Sequence, residues 1–200
     1  MKKLIILLHG VGSSGAGMQG VANFLQQQLP ATLVASPNGT TDFDGGNAGY
    51  QWFSVAGITE QTRPGRIVDA RPAFDAAIQR ILQQNDVIPG QDKIILLGFS
   101  QGAIMALDAL VTDRFPLAGV VGFSGRLSSP APYRVAADSA ALLIHGQADK
   151  VIDWSESESA AVRLSTENIA VSTFYESGVP HTITANGMHK AVDFIAHRFA

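Results

Sequence analysis

Cysteine is absent from the 200-residue sequence, and its absence removes several kinds of chemistry at once. Without thiols the chain forms no disulfide bond, has no cysteine nucleophile and offers no thiolate ligand to a metal ion. A chain that lacks cysteine suits a reducing compartment, although oxidising compartments also hold such chains. We therefore expect a cytoplasmic protein.

Charged residues and long apolar runs are also scarce. Only 16% of the residues are charged, and the formal net charge is −3, so no basic surface is available for the phosphates of a nucleic acid. No stretch approaches the ~20 apolar residues of a membrane span. The apolar start, Leu4–Leu8, is shorter than the hydrophobic region of a signal peptide, about 7–15 residues. We expect neither a nucleic-acid partner nor stable insertion into a membrane.

Short continuous apolar runs alternate with longer amphipathic ones along the chain. This pattern is typical of parallel strands that are covered by helices on both faces of a sheet. The predicted strands are Leu4–Leu8, Thr32–Ser36, Lys93–Phe99, Gly119–Phe123, Ala140–His145 and Val171–Tyr175. The predicted helices are Met18–Leu29, Arg66–Gln84, Gln101–Val111, Ser155–Thr166 and Ala185–Phe199. We expect residues 1–200 to form a single α/β domain with one mostly parallel sheet.

The segment 37–65 interrupts this alternation. It is rich in glycine, has no clear periodicity and contains Trp52 and Phe53. Loops of this length in compact domains are usually lids or binding loops, so we predict that it binds substrate. A surface loop that packs on its own aromatic side chains is the alternative, and the two aromatic residues could equally cap an edge of the core.

The sequence Gly98-Phe99-Ser100-Gln101-Gly102 lies between a predicted strand and a predicted helix. In that context the motif G-x-S-x-G indicates a nucleophile elbow, a strained turn that lifts the serine hydroxyl above the sheet. The flanking glycines are needed because side chains there would collide with the neighbouring strand and helix. Ser124, in Gly122-Phe123-Ser124-Gly125, lacks the second spaced glycine, and we interpret it as the end of a strand.

A serine nucleophile requires a base, and five histidines are present. His181 follows the last predicted strand and precedes the last helix, which places it at the same edge of the sheet as Ser100. His9 and His145 end strands and are expected to satisfy main-chain groups. His189 and His197 lie on the face of the last helix opposite its apolar stripe. His181 is therefore our candidate base.

The base must be oriented by a carboxylate. Asp149 stands four residues after His145, beyond the end of a buried strand, and is the preferred candidate. Asp153 is the main competitor, although it could instead cap the following helix. Asp138 precedes the strand and so lies at the wrong end of the sheet.

Ester hydrolysis also needs hydrogen-bond donors for the developing oxyanion. The main-chain N–H of Gln101, at the start of a helix, is one candidate. Val11 N–H, in the glycine-rich loop after the first strand, is the other. Both are main-chain groups, so the glycines that shape the loop matter more than the side chain of Val11.

The same loop also matches a dinucleotide-binding fingerprint, G-x-G-x-x-G, at residues 10–15. An NAD-binding oxidoreductase is therefore an alternative function. That fold requires an acidic residue at the end of the second strand, where the first acid present is Asp42. The histidine that precedes Gly10 would also be unusual in such a turn.

Five segments together resemble a known family. In chain order they are Leu8–Gly12, Trp52–Phe53, Gly98–Gly102, His145–Ile152 and Gly178–Ile183. They are similar to the carboxylesterase and acyl-protein thioesterase-like (lysophospholipase-like) family of α/β hydrolases. Ser13, Ser54 and Ala103 stand where that family usually has two acids and a third glycine, so the resemblance is to a bacterial esterase branch.

The resemblance implies an α/β-hydrolase fold, a triad of Ser100, Asp149 and His181, and oxyanion donors at Val11 and Gln101. We expect hydrolysis of carboxylic esters, and also of acyl thioesters, with short to medium acyl chains. This chemistry requires no metal and no cofactor, and we expect none. A non-catalytic binding protein of the same fold is a further alternative, but such a protein would be expected to have lost a member of the triad.

We expect an apolar acyl site near the triad. The residues that would form it are Trp52, Phe53, Val151, Ile152 and Val179. Hydrolases of this kind often pair, so a homodimer is expected as well.

Overall fold

Eight strands occur in the computed structural model, which describes residues 1–200. In chain order they are β1 (Lys3–Leu8), β2 (Leu33–Ala35), β3 (Thr41–Asp42), β4 (Tyr50–Gln51), β5 (Lys93–Phe99), β6 (Gly119–Phe123), β7 (Ala140–Gly146) and β8 (Ala170–Glu176). Six of them form one parallel sheet in the order β2-β1-β5-β6-β7-β8. β3 and β4 form a separate antiparallel pair.

Five helices cover the two faces of the sheet. They are α1 (Gln19–Gln28), α2 (Arg63–Gln84), α3 (Gln101–Val111), α4 (Ser155–Thr166) and α5 (Ala185–Phe199), and a single 3₁₀ turn (Ala16–Met18) precedes α1. α2, α3 and α4 pack on one face, whereas α1 and α5 pack on the other. None of the helices combines the length and the apolar character needed to cross a lipid bilayer.

Alternating side chains of the central strands supply the two cores. In β1, Leu4, Ile6 and Leu8 belong to the core under α2, α3 and α4. Ile5 and Leu7 belong to the core under α1 and α5. All five are fully buried, because a strand between two layers of helices has no solvent-exposed face.

The predicted parallel sheet with helices on both faces is confirmed, and β5, β6, α3, α4 and α5 have the predicted bounds. α2 begins earlier than predicted, at Arg63, because Pro64 lies in its first turn, where the fixed φ of proline favours a helix. The β3–β4 pair was not predicted. Its strands of two residues are too short to give a periodic signal.

The segment 37–65 lies against the loop that follows β1. Gly12 N–H donates to Tyr50 O at 2.8 Å, and Tyr50 N–H donates to Ser13 O at 2.7 Å. The ring of Phe43 lies against Gly12, whose φ of +77° is readily adopted only by glycine. The segment is therefore attached to the loop that contains Val11.

All six parallel strands point in one direction, so their carboxyl ends share one edge of the sheet. The opposite edge holds both ends of the chain. Lys2 N–H donates to Asp92 Oδ1 at 2.6 Å, and Arg198 Nε donates to Ala118 O at 2.6 Å. α5 begins at the carboxyl edge, and Arg198, near its end, lies at this amino edge.

Candidate active site

Ser100 occupies a strained turn between β5 and α3. Its φ of 54° and ψ of −116° lie in a region that side-chain-bearing residues rarely adopt. A Cβ at Gly102 would lie 2.1 Å from Leu8 O, and one at Gly98 would lie 2.4 Å from Ala103 N. Both flanking positions therefore require glycine, as the motif predicts.

A chain of hydrogen bonds joins Ser100, His181 and Asp149. Ser100 Oγ lies 3.0 Å from His181 Nε2, and His181 Nδ1 lies 2.6 Å from Asp149 Oδ2. A carboxylate only accepts hydrogen bonds, so Nδ1 carries the proton and Nε2 is free to accept one from the serine. This is the arrangement of groups in a serine hydrolase triad.

Asp149 is the carboxylate at the end of this chain of hydrogen bonds, and it is buried. Its Oδ1 accepts hydrogen bonds from the main-chain N–H groups of Val151, at 2.8 Å, and Ile152, at 3.0 Å. Burial alone would raise the pKa of the Asp149 carboxyl, but the hydrogen bonds from His181 and the two N–H groups outweigh it and hold the pKa below its usual value. Asp153 instead accepts from the N–H of Ser155, the first residue of α4, although the N-cap position itself is held by Trp154.

His145 makes a contact that the sequence did not reveal. Its Nε2 lies 2.9 Å from Ile152 O and 3.1 Å from Asp149 Oδ2, so this nitrogen carries a proton and donates to both. Nδ1 then accepts from the hydroxyl of Ser157 at 2.7 Å. Burial lowers the pKa of the His145 imidazole and keeps it neutral. In the sequence, only the spacing of four residues between His145 and Asp149 could have indicated this contact.

His9 satisfies main-chain groups, as expected. Its Nε2 accepts from Gly39 N–H at 2.8 Å, and its Nδ1 donates to Gly10 O at 2.7 Å. Burial lowers the pKa of His9, so the ring stays neutral. His189 and His197 are exposed on α5. Of the five histidines, His181 alone is hydrogen-bonded to Ser100.

The two candidate oxyanion donors border the serine. Val11 N–H makes no hydrogen bond within the protein, whereas the next residue is bonded to Tyr50. Gln101 is the first residue of α3, so its N–H has no partner within the helix. A Cβ at Gly10 would lie 3.4 Å from Ser100 Cβ, which shows how closely this loop approaches the serine.

Trp52 and Phe53 lie beneath the site. They are 1% and 6% exposed. Trp52 Nε1 donates to His9 O at 2.9 Å, Trp52 N–H donates to Gln101 Oε1 at 2.8 Å, and Gln101 Nε2 donates to Phe53 O at 2.7 Å. The aromatic pair therefore fastens the segment 37–65 to the elbow and to the end of β1.

A cavity of about 610 Å³ opens beside His181, between the start of α1 and the start of α5. We call it the α1–α5 cavity. Its lining residues are Gly10, Val11, Ser13, Gly17, Met18, Gly20, Val21, Phe24, Phe99, His181, Thr182, Ile183, Thr184, Ala185 and Met188.

The predicted acyl site does not coincide with this cavity. None of Trp52, Phe53, Val151, Ile152 and Val179 lines it. Ile152 is buried beside Asp149, whereas Val151 is 68% exposed at the surface. Trp52 and Phe53 are almost completely buried, because a large aromatic ring gains most when it is fully buried, provided that a polar group such as the indole N–H finds a partner.

The glycines of the dinucleotide-like loop contact protein rather than an open phosphate site. A Cβ at Gly15 would lie 2.0 Å from Ser36 O, and Gly15 N–H donates to the side chain of Asn38 at 2.9 Å. Ser124, the other serine considered, follows β6, and its buried hydroxyl has no hydrogen-bond partner. The first observation does not support the NAD-binding alternative. The second does not support Ser124 as an alternative nucleophile to Ser100.

Sequence relatives of the chain are esterases and thioesterases. It is 33% identical over 196 residues to esterase YpfH of Escherichia coli, a match that covers 98% of this chain and 83% of that one. It is 32% identical over 133 residues to acyl-protein thioesterase 1 of Kluyveromyces lactis, which covers 62% of this chain and 57% of that one.

Solved structures agree with this fold. The crystal structure of esterase PE8 superposes with a TM-score of 0.87 at 31% identity, covering 98% of this chain and 92% of that one. The carboxylesterase of Bacillus cereus superposes with a TM-score of 0.81 at 19% identity, covering 99% and 89%. A family model described as phospholipase/carboxylesterase matches residues 1–198. The chain therefore belongs to the phospholipase/carboxylesterase family, has the α/β-hydrolase fold and is a carboxylic ester hydrolase.

Proposed function

We propose that Ser100, His181 and Asp149 are the catalytic triad and that the enzyme hydrolyses esters through an acyl-enzyme on Ser100. The observation that carries this proposal is the unbroken hydrogen-bond chain from Ser100 Oγ through the imidazole to Asp149 Oδ2. His181 lines a cavity large enough for a small ester, and so does Phe99, the residue before Ser100.

Acylation begins when Ser100 Oγ attacks the carbonyl carbon of the ester. His181 Nε2 accepts the hydroxyl proton, and Asp149 stabilises the resulting imidazolium through the proton on Nδ1. The carbonyl oxygen becomes an oxyanion, which accepts hydrogen bonds from Val11 N–H and Gln101 N–H. The intermediate then collapses, the ester C–O bond breaks, and Nε2 returns its proton to the leaving alkoxide, which departs as an alcohol.

Deacylation repeats these steps with water. His181 Nε2 takes a proton from a water molecule as its oxygen attacks the acyl carbon. A second oxyanion forms in the same donor pair. Collapse releases the carboxylic acid, and the proton on Nε2 returns to Ser100 Oγ.

Acyl thioesters fit the same site. A thiolate is a better leaving group than an alkoxide, because an ordinary thiol has a pKa of about 8.5, so acylation demands less of His181. The similarity to proteins named acyl-protein thioesterase supports this part of the proposal. We propose short to medium acyl chains for both substrate types, in keeping with a cavity of about 610 Å³.

Cellular setting and assembly are part of the proposal. We propose that residues 1–200 act as one domain in the cytoplasm, which the lack of cysteine supports. We also propose a homodimer, on the resemblance to hydrolases that pair. Fractionation of cells and sedimentation of the purified protein test these two points.

Replacing the nucleophile tests the mechanism directly. Ser100→Ala should lower turnover of p-nitrophenyl acetate by up to roughly 10⁶-fold, because no other hydroxyl is hydrogen-bonded to His181 Nε2. The circular dichroism spectrum should be unchanged. A fluorophosphonate probe, located by mass spectrometry, should label Ser100 in the wild type and nothing in the variant.

Ser124→Ala is the matched control and should retain turnover and labelling. A label on Ser124, or full activity in Ser100→Ala, would contradict the proposed function. A wild-type protein with no label and no turnover would favour the non-catalytic alternative. Stoichiometric binding of NAD in calorimetry would favour the oxidoreductase.

A further inference from the structure

We propose that the open edge of β8 binds a second copy of this chain, whose own β8 pairs with it antiparallel around a two-fold axis at Thr173. The homodimer, which rests on a resemblance alone in the proposed function, thereby gains a defined surface. That surface does not involve Ser100, so it stands whether or not Ser100 is the nucleophile.

β8 is one of the two edge strands of the parallel sheet, and it pairs only with β7. The pairing is uninterrupted from Ala170 to Glu176, so the edge has no bulge. Ser172 and Thr173, in the middle of the strand, are exposed. β8 contains no lysine, arginine or proline, residues with which natural proteins commonly protect an edge strand. A long, unprotected strand is therefore available for pairing.

The other edge strand, β2, is much less suited to pairing. It has only three residues, Leu33–Ala35, and Pro37 stands two positions after it. Short edge strands and nearby proline both limit the pairing of an edge with another chain. A docking edge is therefore expected at β8 rather than at β2.

Every second residue of β8 directs its main-chain groups away from β7. Ala170 N–H donates to Ser139 O at 3.1 Å, so Ala170 and every second residue after it face β7. Because the direction of the N–H and C=O groups alternates along a strand, Val171, Thr173 and Tyr175 face the open edge. Their main-chain groups have no hydrogen-bond partner within the protein. They form a regular row of donors and acceptors that another strand can bind.

A second β8 is complementary to this row. In an antiparallel pair centred on Thr173, Thr173 faces the partner's Thr173, and Val171 faces the partner's Tyr175. Each hydrogen-bonded pair exchanges two main-chain bonds, about six in all. Pairs of threonines, and pairs of an aromatic with a β-branched side chain, are favourable across strands. Glu176, the only charged residue of β8, faces the partner's Ala170, so no like charges meet within the paired strands, and the occupant that fits is a second copy.

A groove beside the edge contributes apolar surface. It lies between α4 and β8, has a volume of about 450 Å³ and is lined by Ala161, Val162, Ser165, Thr166, Val171 and Thr173. None of these residues is charged, and Val162 is 66% exposed, although valine is usually buried. In the antiparallel pair the α4 helices of the two copies lie on the same face of the joined sheet. The two grooves therefore meet near the axis, where Val162 can be removed from water.

Pairing at β8 leaves the candidate active site open. β5, which ends just before Ser100, is separated from β8 by β6 and β7, roughly 14 Å at ~4.8 Å per strand. The antiparallel arrangement also directs the carboxyl edges of the two sheets in opposite directions. A variant that cannot dimerise should therefore keep the turnover of the wild type.

Charges at position 173 test the axis, because Thr173 is exposed and would face its own copy. Thr173→Lys or Thr173→Glu places like charges opposite each other and should raise the dissociation constant of the dimer at least about tenfold in sedimentation experiments. A mixture of the two variants should dimerise again. Leu33→Lys, at a residue of β2 that is 39% exposed, is the matched control and should remain dimeric. A monomeric wild type, a dimeric Thr173→Lys or a mixture that stays monomeric would overturn the proposal.

The lack of cysteine in the chain allows a direct test of the register. Thr173→Cys introduces a single thiol, and the Cα atoms of a hydrogen-bonded antiparallel pair are ~5.5 Å apart, within the span of a disulfide. Oxidation should therefore give a covalent dimer. Ser172→Cys is the matched control, since residue 172 faces the partner's Phe174 and is ~7–8 Å from its own copy. Equal cross-linking of the two variants, or none in Thr173→Cys, would contradict the register.

Amide hydrogen exchange measured by NMR locates the interface in the wild type. The N–H groups of Val171, Thr173 and Tyr175 should exchange slowly in the dimer and at least about tenfold faster in Thr173→Lys. Those of Ser172 and Phe174, which face β7, should remain protected in both proteins and so report an intact fold. Fast exchange at all three outward positions in a wild-type dimer would place the interface elsewhere. A dimer that forms through β8 but takes no fluorophosphonate label would contradict only the proposed function.

Discussion

Asp149 is held by four hydrogen bonds, two to each carboxylate oxygen. Oδ1 accepts from two main-chain N–H groups, and Oδ2 accepts from His181 and His145. These donors fix the carboxylate in position and keep it ionised while it is buried. The orientation of the proposed base therefore depends on a second, neutral histidine and on the turn that follows β7.

Asp149→Asn should lower kcat by about 10⁴-fold, because an amide can donate to Nδ1 and then stabilise the tautomer that leaves Nε2 protonated. Steady-state kinetics with p-nitrophenyl acetate measure this loss. Asp153→Asn, an exposed carboxylate nearby, should change kcat little. Comparable losses in both variants would contradict the assignment of the acid.

At the scale of single residues, the sequence predicted those features that neighbouring residues determine. The elbow around Ser100 and the strand-end position of Asp149 are readable from adjacent residues. The burial of Trp52 is not readable, because its indole partner, His9 O, lies 43 residues earlier in the chain. Local composition indicated a binding loop, whereas the distant carbonyl decided that the ring is buried.

The segment 37–65 acts as a brace for the site. β4 is hydrogen-bonded to the loop that contains Val11, and residues after β4 are hydrogen-bonded to the side chain of Gln101. Both proposed oxyanion donors are thus attached to the same segment. Its glycine-rich composition suggests a mobile segment. The hydrogen bonds hold it in place instead, because they join main-chain groups or involve the buried side chain of Gln101.

Gln101→Glu tests this brace while leaving the main-chain N–H of residue 101 in place. A glutamate can still accept from Trp52 N–H but cannot donate to Phe53 O, and leaving a buried group unsatisfied costs about 1–3 kcal/mol. We expect a lower thermal unfolding midpoint and a lower kcat. Gln61→Glu, an exposed change in the same segment, is the control. An unchanged kcat and midpoint in Gln101→Glu would show that the brace is dispensable.

At the scale of the whole molecule, the six-stranded parallel sheet places the residues of the site together at its carboxyl edge. This topology was predictable, because alternating apolar and amphipathic segments leave few other arrangements. The location of the α1–α5 cavity was not, because it depends on how far two helices, distant in sequence, stand apart at their first turns. Two buried neutral histidines, His9 and His145, lie at the ends of β1 and β7.

These two histidines make the stability of the fold depend on pH. Burial lowers the pKa of both below the ordinary value of about 6.5, so below that pH the unfolded chain binds more protons than the folded one. The contribution of the two histidines to the free energy of unfolding is complete above about pH 6.5. It is lost as the pH falls toward their folded-state pKa values. We expect the free energy of unfolding to drop by on the order of 1 kcal/mol per histidine between about pH 7.5 and pH 5.5.

Urea denaturation at the two pH values measures this difference. An NMR titration of the imidazole Cε1 protons should show His9 and His145 binding protons at a lower pH than a histidine of the unfolded chain. A free energy of unfolding that stays constant, or rises, as the pH falls would contradict the expectation.

The position of Lys2 and Arg198 at the amino edge of the sheet has a practical consequence. A solid support or a fused partner attached near either position would face away from Ser100 and from the mouth of the α1–α5 cavity. The molecule could thus be tethered at high surface density with its substrate entrance directed toward the solution.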